Sequence, residues 1–158
     1  MGRDKFTYGN YENIQSGTRP CSSSRGECLF FFYRLYRNDV RALEDFVASY
    51  EKFNKAITDF SISKPDDLES KAGDAVIELN GRAAVRISSL IKNDAELMNE
   101  KLEIADLSGR ELDSLRAYKR AVRSTNADLD GLAKEFGDWT SKRKAAYARF
   151  QSLSDYKD

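Results

Sequence analysis

Histidine is absent from this chain of 158 residues. Its absence removes the commonest general base and the commonest metal ligand. Ser-His-Asp and Cys-His catalysis, His-rich zinc sites and His-ligated haem are excluded within the chain. Proline occurs only twice, and so does cysteine. Few prolines leave few obligatory helix breaks. Two thiols cannot complete a four-ligand zinc site, and the six residues between Cys21 and Cys28 match no zinc or redox spacing. Two ordinary thiols are the expectation, with a Cys21–Cys28 disulfide, sterically feasible in an oxidising compartment, as the alternative.

Long apolar runs are lacking as well. The longest is Cys28-Leu29-Phe30-Phe31-Phe32-Tyr33, far short of the roughly 20 residues of a membrane-spanning helix. The N-terminus lacks the charged-then-apolar order of a signal peptide. Phe6 stands where a myristoylation signal after Gly2 needs Ser or Thr. The expected location is the cytoplasm, or the exterior or envelope if Met1 is not the natural start. Charge of one sign is missing too: 26 Lys and Arg balance 26 Asp and Glu. This argues against a nonspecific polyanion binder but permits a local basic patch. No G-x-G-x-x-G or P-loop pattern is present.

What remains is rich in charge and helix formers. Charged residues make up 33% of the chain, against about 25% in an average domain, which suits a soluble protein of long helices with wet outer faces. Residues 1–27 carry Gly, Ser, Asn and Arg without a helical period and read as an extended or disordered arm. Over 28–60 the row Leu29, Tyr33, Tyr36, Val40, Leu43, Val47, Tyr50, Asn54, Ile57 steps by four and three, a heptad seam. Phe32, Phe46, Phe53 and Phe60 flank it, as in a bundle helix. Ser63 and Pro65 suit a new N-terminus, with Asp66, Asp67 and Glu69 opposing the helix dipole. A second seam over 66–107 contains Val76, Ala83, Leu90, Leu97 and Ile104, widened by rows through Leu79 and Ile77. Asn80-Gly81 and Asn93-Asp94 are weak points in it. Ser108 and Glu111 spell a capping box, with Leu107 and Leu112 as its hydrophobic staple, so a helix is expected over 109–153. Its rows include Leu115, Val122, Leu129, Phe136, Arg143 and Phe150, with Trp139 on a neighbouring row. Ser124-Thr125-Asn126 is a polar weak point. Asp155-Tyr156-Lys157-Asp158 resembles the opening of the FLAG affinity epitope and is set aside as a tag remnant.

No stretch reads as strand. The expected fold is all-α: an elongated antiparallel three-helix bundle over 28–154, with the non-helical arm before it. Helices of roughly 50 to 65 Å are implied, joined by short connections. If the second or third helix splits, four result.

Function is less legible. Acids and bases alternate on outer faces as solvated faces do, and neither an enzyme, a cofactor, a metal nor a small-molecule substrate is expected. Phe30 and Phe31 fall on outer rows of the first helix. With Phe32, Tyr33 and Tyr36 they form the candidate partner-binding cluster, since aromatics anchor interfaces. The expected function is a scaffold, adaptor or assembly subunit that binds a protein partner or itself. The alternative is a nucleic-acid or anionic-membrane binder using the helical stripe Arg116, Lys119, Arg120 and Arg123. Lys142, Arg143, Lys144 and Arg149 form a second basic group. Bundles of this kind serve many roles, so fold analogy carries no function.

Overall fold

The structure is a computed structural model that describes residues 25–62, 66–124 and 127–154. The expected arm at 1–24 and the tag-like residues 155–158 lie outside the described residues. Among those described, all regular structure is α-helical. The helices are α1 (Arg25–Ile62), α2 (Asp66–Ala83), α3 (Asp94–Ala121) and α4 (Leu129–Leu153). The chain divides into two compact units, Met1–Asn38 and Asp39–Asp158, with the boundary inside α1.

Unit 2 holds the core. On α1 the buried residues are Leu43, Phe46, Tyr50, Phe53, Ile57 and Phe60, again stepping by three and four. The buried stripe is rotated from the expected seam. Phe46, Phe53 and Phe60 of the row that flanked the seam are buried, while Phe32, Val40, Val47 and Asn54 are only half-buried. Phenylalanine removes more apolar area from water than valine, so the wider row takes the centre. Ala72, Ala75, Leu79 and Ala83 of α2 close over this stripe, and small alanines allow a near approach. Leu97, Ile104, Leu112 and Leu115 of α3 and Ala146 and Phe150 of α4 complete the cluster. Ile77, expected to widen the second seam, is 72% exposed.

Three expected boundaries are corrected. The helix drawn over 66–107 ends at Ala83, soon after Asn80-Gly81. The intervening connection is held from both sides: Asp39 of α1 accepts bonds from the Ser88 amide and hydroxyl, and Lys101 of α3 donates to the Val85 carbonyl. Asn93, at φ 60°, takes the left-handed conformation that Asn tolerates better than most residues. It turns the chain into α3, whose first turn carries Asp94 and Glu96. The start expected at 109 does not exist, because α3 runs unbroken through it. Ser108 bonds back to the Ile104 carbonyl inside the helix, Leu107 and Leu112 are core residues, and Glu111 is turned to another helix. The helix drawn over 109–153 breaks instead after Ala121, next to the polar Ser124. Asp128 then caps α4, accepting from the Gly131 amide at 3.0 Å.

Two truncations to alanine separate core from surface. Phe46→Ala should lower stability by about 3–5 kcal/mol, whereas Ile77→Ala should change it by less than about 0.5 kcal/mol. Urea unfolding followed by circular dichroism measures both, and a large effect at Ile77 would contradict the burial pattern.

Candidate functional site

Unit 1 contributes the start of α1. Every residue from Cys28 to Tyr36 except Arg34 is apolar or aromatic, so no orientation of this helix could hide them all against one neighbour. Leu29 is 70% exposed, Phe30 65% and Tyr33 59%. Tyr36 is less open, and Phe31, Phe32 and Leu35 are half-buried. The Phe31 and Phe32 rings meet edge to face, with centroids 6.1 Å apart. Of the five residues read as a partner-binding cluster, then, Phe30, Tyr33 and Tyr36 lie open, and Leu29 joins them from the seam. Leu29, Tyr33 and Tyr36 share one helical row, with Phe30 beside it. Arg34 and Arg37 are exposed on the same turns. Cys28 is disulfide-bonded, and Cys21, the other cysteine of the sequence, lies outside the described residues.

The expected basic stripe is arranged differently from a free cationic face. Arg116 bonds Glu69 of α2 at 2.9 Å and Asp113 at 3.3 Å. Lys119 donates to the Ser61 carbonyl and sits 5.2 Å over the Phe60 ring. Arg120 and Arg123 are exposed at the end of α3 and just beyond it. The second basic group is dispersed. Arg149 pairs with Glu100 and Glu103, Lys142 lies 4.4 Å over Trp139, and Arg143 is buried.

Arg143 belongs to a polar cluster inside unit 2. Its guanidinium forms a two-pronged pair with Glu111, donates to the Tyr50 hydroxyl at 2.7 Å, and stacks 5.3 Å from the Tyr50 and Phe53 rings. The Thr140 hydroxyl donates to Glu111 at 2.7 Å. Tyr147 stacks on Tyr50 at 3.7 Å. Burial pushes the Tyr50 phenol up, with the Arg143 charge pulling the other way. A cavity of about 140 Å³ reaches this pair between Asn54, Thr58, Phe136 and Lys144. A second cluster joins Asp39, Ser88 and Lys101. Lys101 is fully buried, its ammonium 2.6 Å from the Val85 carbonyl and 5.8 Å from the Phe46 ring. Burial lowers its pKa to about 8, with Asp39 acting in the opposite direction. Burial likewise raises Asp39, against its bonds from Ser88.

Neither cluster was recognised from sequence. The signal was a charged residue inside an otherwise apolar row: Arg143 between Phe136 and Phe150, and Lys101 between Leu97 and Ile104. Chemically, both Glu111 oxygens are engaged by Arg143 and Thr140, which suits holding helices in register more than proton transfer. Among the described residues no helix is long and apolar enough to cross a membrane. Compared with known proteins, the chain matches no family model, no curated protein and no solved structure.

Two measurements check these clusters. Glu111→Gln should destabilise the fold by about 3–5 kcal/mol, by leaving the Arg143 charge buried and uncompensated, while Glu111→Leu with Arg143→Met should restore most of the loss. A double-mutant cycle in urea decides it; additive losses would deny the coupling. For Lys101 the folded pKa of about 8 lies below the ordinary lysine value of 10.5. Above pH 8 the unfolded chain therefore binds more protons than the folded one, and stability rises with pH. The raised Tyr50 acts oppositely only above about pH 10, where free tyrosine ionises. Between pH 8 and 10 the wild type should thus gain a stabilising contribution from Lys101 of up to about 3 kcal/mol, and Lys101→Met should lack it. Chemical unfolding of both proteins across that range measures the difference; identical slopes would overturn it.

Proposed function

We propose that this chain is a non-enzymatic helical interaction protein, a scaffold, adaptor or assembly subunit, whose docking surface is the open aromatic face at the start of α1. The observation that carries the reading is the exposure of Leu29, Phe30 and Tyr33 together on adjacent turns. Scattered exposed apolar residues need no explanation, but a contiguous group of large ones marks a contact site. The buried ionic groups of unit 2 support a structural role, because their hydrogen bonds run to one another and to the backbone. The docked surface belongs to another molecule, a protein or otherwise, and must complement an apolar face flanked by arginines.

The helices of unit 2 fit an antiparallel bundle. Asp45 reaches Arg82 and Lys52 reaches Glu78; Glu69 meets Arg116; Glu100 meets Arg149 while Glu111 meets Arg143. For α1 with α2 and for α3 with α4, one number rises as the other falls, as short connections require. The alternative reading, an anion-binding stripe on α3, is less favoured because Arg116 already pairs with Glu69 and Asp113.

Availability of the face is directly measurable. Anilinonaphthalene sulfonate should fluoresce with the folded wild type, and Phe30→Ser with Tyr33→Ser should remove most of that signal at unchanged helicity. A silent wild type would sink the reading.

A further inference from the structure

The chemistry of the α1 face narrows its partner, given the docking reading above. From Cys28 to Asn38 there are two arginines and no acid. The asymmetry extends over all of unit 1. Residues 1–38 hold six Lys or Arg (Arg3, Lys5, Arg19, Arg25, Arg34, Arg37) against three acids (Asp4, Glu12, Glu27), a net charge of +3. As the whole chain is neutral, residues 39–158 carry −3. Unit 1 also holds eight of the chain's eighteen aromatic residues. A partner must therefore be apolar and anionic at once.

Area separates the candidates. Residues 25–38 make about 21 Å of helix. One face of that length and about 10 Å of width offers a few hundred Å², well below the roughly 800 Å² per side of a stable protein interface. A second copy docked face to face fits worse, because it would bring Arg34 and Arg37 towards their own counterparts. A bilayer surface needs no matching groove: binding scales with whatever apolar area enters the headgroup–acyl boundary, with attraction to anionic lipid added. Phenylalanine, leucine and tyrosine with arginine and no acid are the residues an interfacial helix uses. The mode is lying on the membrane, as no described helix can span one.

We propose that the start of α1 docks on an anionic phospholipid bilayer, with Leu29, Phe30 and Tyr33 inserted at the headgroup–acyl boundary and Arg34 and Arg37 on lipid phosphates. The face is then a peripheral membrane anchor, and unit 2 is the folded body it carries.

The test is sedimentation of the full chain with vesicles of phosphatidylcholine alone, or of phosphatidylcholine with phosphatidylserine, at low and high salt. The chain should sediment with the serine-containing vesicles, much less with phosphatidylcholine alone, and less as salt rises. Arg34→Gln and Arg37→Gln should each weaken binding about fivefold. Phe30→Ser with Tyr33→Ser should abolish it at unchanged helicity, measured by circular dichroism. Failure to sediment with either vesicle overturns the proposal, as does binding indifferent to the Phe30 and Tyr33 changes. A salt-resistant dimer by light scattering that Phe30→Ser with Tyr33→Ser dissociates overturns it in favour of a second copy. Dye binding by the wild type without vesicle binding rejects the membrane while leaving a docking face; no dye binding rejects the face itself.

Discussion

The buried pair of Glu111 and Arg143 is the constraint around which unit 2 is organised. Two opposite charges withdrawn from water are tolerable only when geometry is close and remaining hydrogen-bonding groups are served. Here the guanidinium is held by Glu111, Tyr50 and two aromatic faces, and the carboxylate also accepts from Thr140. These partners come from α1, α3 and α4. Sliding α3 against α4 by a turn would strand both charges in the core, and sliding α1 would take the Tyr50 hydroxyl from Arg143. The pair therefore sets register where alanine, leucine and phenylalanine contacts alone would permit several neighbouring alignments.

A second polar device closes the other end of the same body. The connection from Ala83 to Asp94 carries few residues able to anchor it by burial, apart from Ile87 and Ile91. Asp39 and Lys101 reach it from α1 and α3, one by carboxylate and one by ammonium. Both charges are held against the tendency of burial to neutralise them. The arrangement joins three helices through a loop of otherwise ordinary composition, and it begins at the first residue of unit 2.

These internal commitments bear on function by elimination of roles. Of the cations read as basic groups, Arg116, Arg143 and Arg149 pair with acids and Lys119 and Lys142 lie over rings. Unit 1 differs in kind. Leu29, Phe30 and Tyr33 are open, no acid falls between Cys28 and Asn38, and the net charge of residues 1–38 is positive. The start of α1 thus differs in exposure and charge from the rest of the same helix, which is built into the core.

Much of the secondary structure was legible in local pattern. The all-α class followed from periodicities of three and four and from scarce proline, and the span of α1 from its aromatic rows, because helical propensity and amphipathicity act over neighbouring residues. The polar weak points at Asn80-Gly81, Asn93-Asp94 and Ser124 were visible for the same reason. Which breaks were used was not. Ser108 and Glu111 spell a helix start as clearly as local sequence can, yet Glu111 lies in mid-helix because its carboxylate meets Arg143, thirty-two residues away. A cap contributes about 1 kcal/mol, less than the cost of leaving a buried arginine unpaired, so the distant contact prevails. Of the two phenylalanines that the rows placed outward, Phe30 is open and Phe31 half-buried, while Leu29, Tyr33 and Tyr36 of the expected seam are exposed, a difference that no local pattern encodes. Sequence alone determined that this chain forms long amphipathic helices; only tertiary structure decided where they break, because that choice rests on charges brought together from distant parts of the chain.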